Sequence, residues 1–160
     1  MIDVVALGWD PATVGELDHR TLKAPTLKLR SARQAGRDGA LFCVDLRVRR
    51  PNAGAFLCDT ALHSLEHFLL EGLQRELPGN FVGVGLMGCQ TGFYLTFLDE
   101  GRAQRLCAAL EAVLTGVAAA TAVPYADIAQ CGHYRNHSVE QAQAVAREIL
   151  AARAHWLEAA

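Results

Sequence analysis

Between Asp59 and Pro78 the chain has room for one long helix, and its apolar residues dictate what that helix must lie on. Leu62, Leu65, Leu69 and Leu73 recur at helical spacing and form a single stripe. Asp59 is the expected N-cap, the helix runs through Leu77, and Pro78-Gly79 stops it. Such a stripe is unstable in water, so a second apolar layer must cover it.

Strands supply that layer. Leu41 to Arg49 alternates, with Phe42, Val44, Leu46 and Val48 on one face and Cys43, Asp45, Arg47 and Arg49 on the other. This is the period of a half-buried strand. Phe81 to Leu86 and Phe93 to Leu98 read as two more strands, joined by the turn-rich stretch Met87 to Gly92. The first forty residues are punctuated by Gly8, Pro11, Gly15, Pro25, Gly36 and Gly39, which leaves a short strand or two between loops. A second helix is expected over Gly101 to Ala120, ended by Pro124, and a third from Ser138 to about Trp156, where Ser138 and Gln141 form a capping box. The predicted fold class is α+β: an antiparallel sheet with helices packed on it, in a single domain over residues 1–160.

Composition removes several classes of function. With 51% hydrophobic and 20% charged residues the chain lies far from disorder, and a net charge of -2 offers no field for gathering phosphates. No nucleic-acid partner is expected. The longest uncharged, mainly apolar run, Ala112 to Val123, is far short of the ~20 residues that span a bilayer. Met1 to Asp10 carries no Lys or Arg and so lacks the basic start of a signal peptide. A cytoplasmic protein is the expectation. The 5 cysteines, with no C-x-x-C pair, read as reduced thiols. Cys43 and Cys107 fall in apolar patterns and are expected to be small core residues.

Chemistry concentrates in His63-Ser64-Leu65-Glu66-His67. Two histidines at i and i+4 lie one turn apart, so both imidazoles can reach one metal ion, and Glu66 projects from the same turn. Composition alone gives about 0.013 such H-x-x-E-H matches in a chain of this length. The bland alternative is a solvated helix face. A catalytic metal takes a third protein ligand and keeps a position open, and Cys131, beside Gly132 in a polar stretch, is the chosen donor. Cys89 occupies a glycine-flanked loop where a thiol can be approached closely. His133 and His137, near the start of the last helix, read as surface residues, although either stands close enough to Cys131 in sequence to serve as a fourth ligand.

H-S-L-E-H at 63 to 67, M-G-C-Q-T-G at 87 to 92, C-G at 131 to 132, E-L-D-H at 16 to 19 followed by K-A-P at 23 to 25, and D-L-R at 45 to 47 then P-N at 51 to 52 occur in one order. Together they resemble S-ribosylhomocysteine lyase, the LuxS family of autoinducer synthases, over residues 16 to about 155. The resemblance implies an α+β homodimer with its sites at the subunit interface. It also implies one divalent metal ion per subunit, natively iron(II), with zinc or cobalt found after purification. By resemblance His63, His67 and Cys131 match the metal ligands, Cys89 the catalytic thiol, Glu66 the second acid/base, and His19 and Arg47 the contacts to the sugar. The implied reaction cleaves the thioether of S-ribosylhomocysteine, giving homocysteine and 4,5-dihydroxy-2,3-pentanedione.

The chain departs from the family at several places. Val14-Gly15 stands where relatives carry Ser-Phe, and Gly83 and Gly85-Leu86 stand where they carry an acidic residue and Ser-Pro. Gln74, followed by Arg75, stands where they carry an Arg. These changes remove groups expected to grip the substrate, so a different thioether or sugar substrate is one alternative. A small metallopeptidase and a non-catalytic metal-binding domain are the others.

Overall fold

The alternation in Leu41 to Arg49 becomes a strand displaced two residues toward the N-terminus, β2 (Gly39–Arg47). The computed structural model describes residues 2–160. In chain order its elements are β1 (Thr26–Ala35), β2, α1 (Asp59–Glu76), β3 (Phe81–Leu86), β4 (Gly92–Leu98), α2 (Ala103–Ala119) and α3 (Val139–Ala151), with short 3-10 turns at Pro11–Thr13 and Arg153–His155. The strands form one antiparallel sheet in the order β1-β2-β4-β3. The fold class read from the sequence is the one observed, a single-domain α+β unit.

One face of the sheet carries Leu27, Leu29, Phe42, Val44, Leu46, Phe93, Leu95 and Phe97, all buried in the same cluster as Leu62, Leu65, Leu69 and Leu73 of α1. The predicted leucine stripe therefore does the predicted job. Burying each leucine contributes about 1.5–3 kcal/mol, which fixes the rotation of α1 and with it the direction of its polar side chains. Along its length α1 presses on α2: a Cβ added at Gly72 would stand 2.6 Å from Val113 Cγ1, a separation only glycine permits. Among the described residues, no helix is long and apolar enough to cross a membrane.

Two helix starts differ in detail from expectation. The N-cap of α1 is Cys58, without a side-chain cap, and Asp59 is already helical. Its carboxylate instead accepts from Gln90 Nε2 at 2.9 Å, still favourably placed at the positive end of the helix dipole. At α3, Ser138 Oγ accepts from Gln141 N at 3.2 Å, but the return arm of the capping box is missing. Ser138 N donates to Ser64 Oγ, and Gln141 Oε1 accepts from Cys58 Sγ. α3 stops at Ala151; after the 3-10 turn, Trp156 buries its indole and donates to Ile149 O at 2.8 Å. Cys107 is a core residue as read, whereas Cys43 is half-buried on the polar face of β2, because its strand neighbours Phe42 and Val44 take the apolar side.

Candidate active site

α1 presents His63 and His67 away from the leucine stripe, toward the loop that links α2 to α3. That loop delivers Cys131 and His137, and the ligand atoms of the four residues all lie within 4.8 Å of one another. Cys131 Sγ stands 3.4 Å from His63 Nε2 and 3.5 Å from His137 Nε2. The loop is held in place by its own turn chemistry and by α1. Asp127 Oδ1 accepts from Ala129 N and Gln130 N, Cys131 N donates to Asp127 O, and Thr60 Oγ1 donates to Asn136 Oδ1 at 2.6 Å. His137 is thus half-buried rather than solvated. The fixed entry into α3 carries it inward, while His133 is exposed as read.

Hydrogen-bond partners decide which nitrogen of each ring is free. His63 Nδ1 faces Asn136 O at 3.0 Å and His67 Nδ1 faces Pro124 O at 2.8 Å; a carbonyl only accepts, so both Nδ1 atoms carry the proton. The Ser64 hydroxyl donates to Thr60 O and accepts from Ser138 N. Its remaining lone pair faces His137 Nδ1 at 3.3 Å, so that nitrogen is protonated as well. All three Nε2 lone pairs are left free beside a buried cysteine sulfur. Burial, reinforced by His63, His67 and His133, pushes His137 down to about 4. Three imidazoles and one sulfur are a donor set suited to a borderline divalent ion such as zinc or iron, and each imidazole has the outer hydrogen bond that orients a ligand. These residues could hold one metal ion.

A second cluster surrounds Cys89, in the turn between β3 and β4. Gln90 adopts φ +60 and the turn closes through Gln90 N donating to Met87 O and Met87 N donating to Gly92 O. A Cβ at Gly92 would fall 2.1 Å from Leu46 O, so glycine alone lets the turn settle on β2. Cys89 is exposed, with its sulfur 3.0 Å from Thr91 Oγ1 and 3.9 Å from Arg47 Nη1. Partial burial pushes the thiol up. The Thr91 hydroxyl, the backbone N–H groups of Thr91 and Cys89, and the Arg47 guanidinium outweigh it and hold the thiol below the ordinary range.

Beneath the thiol the polar face of β2 is buried rather than solvated. Lys28, Asp45 and Arg47 are only 2%, 1% and 3% exposed. Asp45 Oδ2 accepts from Arg47 Nη2 at 2.8 Å and stands 3.9 Å from Lys28 Nζ, which donates to Gly15 O. The N-terminal segment lies along β1 there, with Gly15 N donating to Leu29 O. Burial drives the Lys28 amine below its ordinary range, against the pull of Asp45.

The two clusters are joined by the Gln90–Asp59 hydrogen bond and by Leu57 N donating to Gln90 O, one helical turn before His63. Glu66 is half-buried, and its carboxylate has no hydrogen-bond or ion-pair partner among the described residues. His19 is exposed and lines a surface depression of about 330 Å³ with Arg20, Arg50, Pro51, Asn52 and Ala53, none of them a member of the four-donor cluster. A Cβ at Gly83 or Gly85 would meet nothing within 4 Å, so packing does not require glycine at either position. Ser64, Thr91 and Lys28 went unassigned in the sequence, and His137 was considered there only as an alternative fourth ligand. Ser64 sits inside H-S-L-E-H and Thr91 inside M-G-C-Q-T-G, which was the available signal.

The family model of S-ribosylhomocysteinase (LuxS) matches residues 14–160. The chain is 41% identical over 140 residues to the S-ribosylhomocysteine lyase of Dichelobacter nodosus, covering 88% of this chain and 90% of that protein. It is 38% identical over 142 residues to that of Halobacillus halophilus, covering 89% and 92%, and 37% identical over 140 residues to that of Listeria monocytogenes, covering 88% and 89%. With nearly the whole length matched, and with two histidines of one helical turn meeting a distant cysteine in space, the chain belongs to the S-ribosylhomocysteinase (LuxS) family.

Proposed function

We propose that this chain is a cytoplasmic, homodimeric S-ribosylhomocysteine lyase that releases homocysteine and 4,5-dihydroxy-2,3-pentanedione, the autoinducer precursor. The observation that carries the reading is the convergence of His63, His67 and Cys131 with free lone pairs, in a chain whose relatives bear that enzyme name. These three residues hold the metal, iron(II) in the cell. When bound, the ion supplies Lewis acidity at a sugar carbonyl, making the adjoining C–H acidic.

The protein's own groups do the rest. Cys89, as thiolate, takes the proton from the carbon beside the carbonyl and delivers it to the old carbonyl carbon, while the neighbouring hydroxyl passes its proton to the old carbonyl oxygen, so that the carbonyl moves one carbon along the opened ribose. Once the carbonyl stands two carbons from the carbon bearing sulfur, Glu66 removes the intervening proton. The C–S electron pair then leaves on homocysteine as its thiolate. A half-buried carboxylate free of partners suits that role, and a thiol held below its ordinary range suits the first. His19 and Arg47 hold the sugar. The depression that His19 lines contains none of the four donors, which fits a homodimer in which His19 serves the site of the other subunit.

The test is release of free thiol from S-ribosylhomocysteine by purified metal-loaded protein, with metal analysis of the same sample. A second reading has one observation in its favour: His137 stands 3.5 Å from Cys131 and could close the metal site as a non-catalytic fourth ligand. Spectra of the cobalt-substituted protein separate the two, since only an open or displaceable site changes when substrate is added.

A further inference from the structure

We propose that Thr91 is the positioning residue that makes Cys89 a thiolate, its hydroxyl proton aimed at the sulfur because Arg47 occupies the acceptor side of its oxygen. The proposal rests on the reading of Cys89 as proton carrier, but its test needs no turnover, so the two can fail separately.

A threonine hydroxyl has one proton to give and lone pairs with which to accept. Arg47 Nη1 lies 2.6 Å from Thr91 Oγ1, and a guanidinium only donates, so the hydroxyl proton must go elsewhere. Two acceptors are in reach: the thioether of Met87 at 3.8 Å, which is weak, and the Cys89 sulfur at 3.0 Å. A thiolate is the far stronger acceptor, and a hydrogen bond to a charged group favours the charged form.

Nothing in this arrangement has to move for the chemistry. Thr91 is buried, and its carbonyl oxygen accepts from both Val48 N at 2.8 Å and Arg49 N at 2.9 Å, which pins the backbone. Arg47 is gripped on its far side by Asp45, with Lys28 behind, so its Nη1 is held toward Thr91. Two buried cations against one buried anion leave that pocket short of negative charge, which a thiolate at Cys89 makes good. The other charged or titratable groups on this side of the sheet include Arg30 with its partner Glu16, the exposed Arg33, Cys43 and Tyr94. A change of the Thr91 side chain leaves all of them in place.

The experiment follows the rate of iodoacetamide alkylation against pH in metal-loaded protein, reading the peptide that carries Cys89 by mass spectrometry. Thr91→Val, which keeps the shape and removes the hydroxyl, is expected to move the midpoint up by about one unit, and Thr91→Ser to restore it. Thr91→Ala, which cannot crowd the turn, gives the same readout should the valine variant fail to fold. A midpoint unchanged from wild type in whichever of these variants keeps native circular dichroism overturns the proposal, as does a shift that Thr91→Ser fails to reverse.

Discussion

Cys131 Sγ lies 3.4 Å from His63 Nε2 although 68 residues separate the two in sequence. Neither residue could reach the other without the leucine stripe that sets the rotation of α1 and the Thr60–Asn136 hydrogen bond that draws the Cys131 loop onto the helix. The four-donor cluster is therefore a property of the α1 packing as much as of the four residues themselves.

Replacing the sulfur should remove the tightest donor. Cys131→Ser is expected to lower affinity for zinc or cobalt on the order of a hundredfold or more, and to abolish thiolate-to-cobalt charge transfer in the near ultraviolet. Titration against a chromophoric chelator measures the first, and the absorption spectrum of the cobalt-loaded protein the second. Retained charge transfer would mean that another cysteine ligates the ion.

Ser64 couples α1 to α3 while 0% exposed. Ser64→Ala leaves Ser138 N without its acceptor and frees the His137 ring. The expected cost is about 1–3 kcal/mol in urea unfolding of the metal-free protein, with an about tenfold loss of metal affinity. Unchanged values in both measurements would show that the hydroxyl orients nothing.

Glu100 gives the fold an acid limb. Hydrogen bonds from the Arg102 guanidinium hold its carboxyl below the ordinary 4.5, with burial opposing. The folded pKa lies below the unfolded one, so on acidification the unfolded state takes up the proton first. The associated stability is complete above about pH 4.5 and is lost as pH falls through the folded value. Glu100→Gln should therefore lose less stability than wild type between neutral pH and about pH 3.5, read from urea midpoints. Parallel losses in the two proteins would refute this linkage.

Open space at Gly83 would admit the acid that the resemblance places at this position. Since a Cβ there meets nothing within 4 Å, Gly83→Asp is expected to fold normally. If a carboxylate there binds the substrate's ammonium group, Gly83→Asp should lower KM for S-ribosylhomocysteine on the order of tenfold with little change in kcat. An unchanged KM would place substrate recognition elsewhere.

Periodicity made β2, β3, β4, the leucine helix and the pairing of His63 with His67 legible before any coordinates, because apolar spacing reports which face is buried; β1, ten residues from Thr26 to Ala35, was expected only as a short strand or two between loops. It is silent on what covers the opposite face. Asp45 and Arg47 read as a solvated strand face, yet Lys28 and the segment at Gly15 bury them, a long-range contact without a local signature. His137 was misread for a related reason. Its place before a helix cap suggested solvent, while the hydrogen bond from Ser138 N to Ser64, remote in sequence, turns it inward. Cap assignment slipped by one residue at α1 because Asp59 spends its carboxylate on Gln90 rather than on the helix end.

The most direct measurement is thiol release from S-ribosylhomocysteine by the iron- or cobalt-loaded protein beside a Cys89→Ala variant of equal metal content. The account predicts homocysteine and the pentanedione in equal amounts from the first and none above background from the second. Silence from the metal-replete wild type, or equal release from the variant, would contradict it.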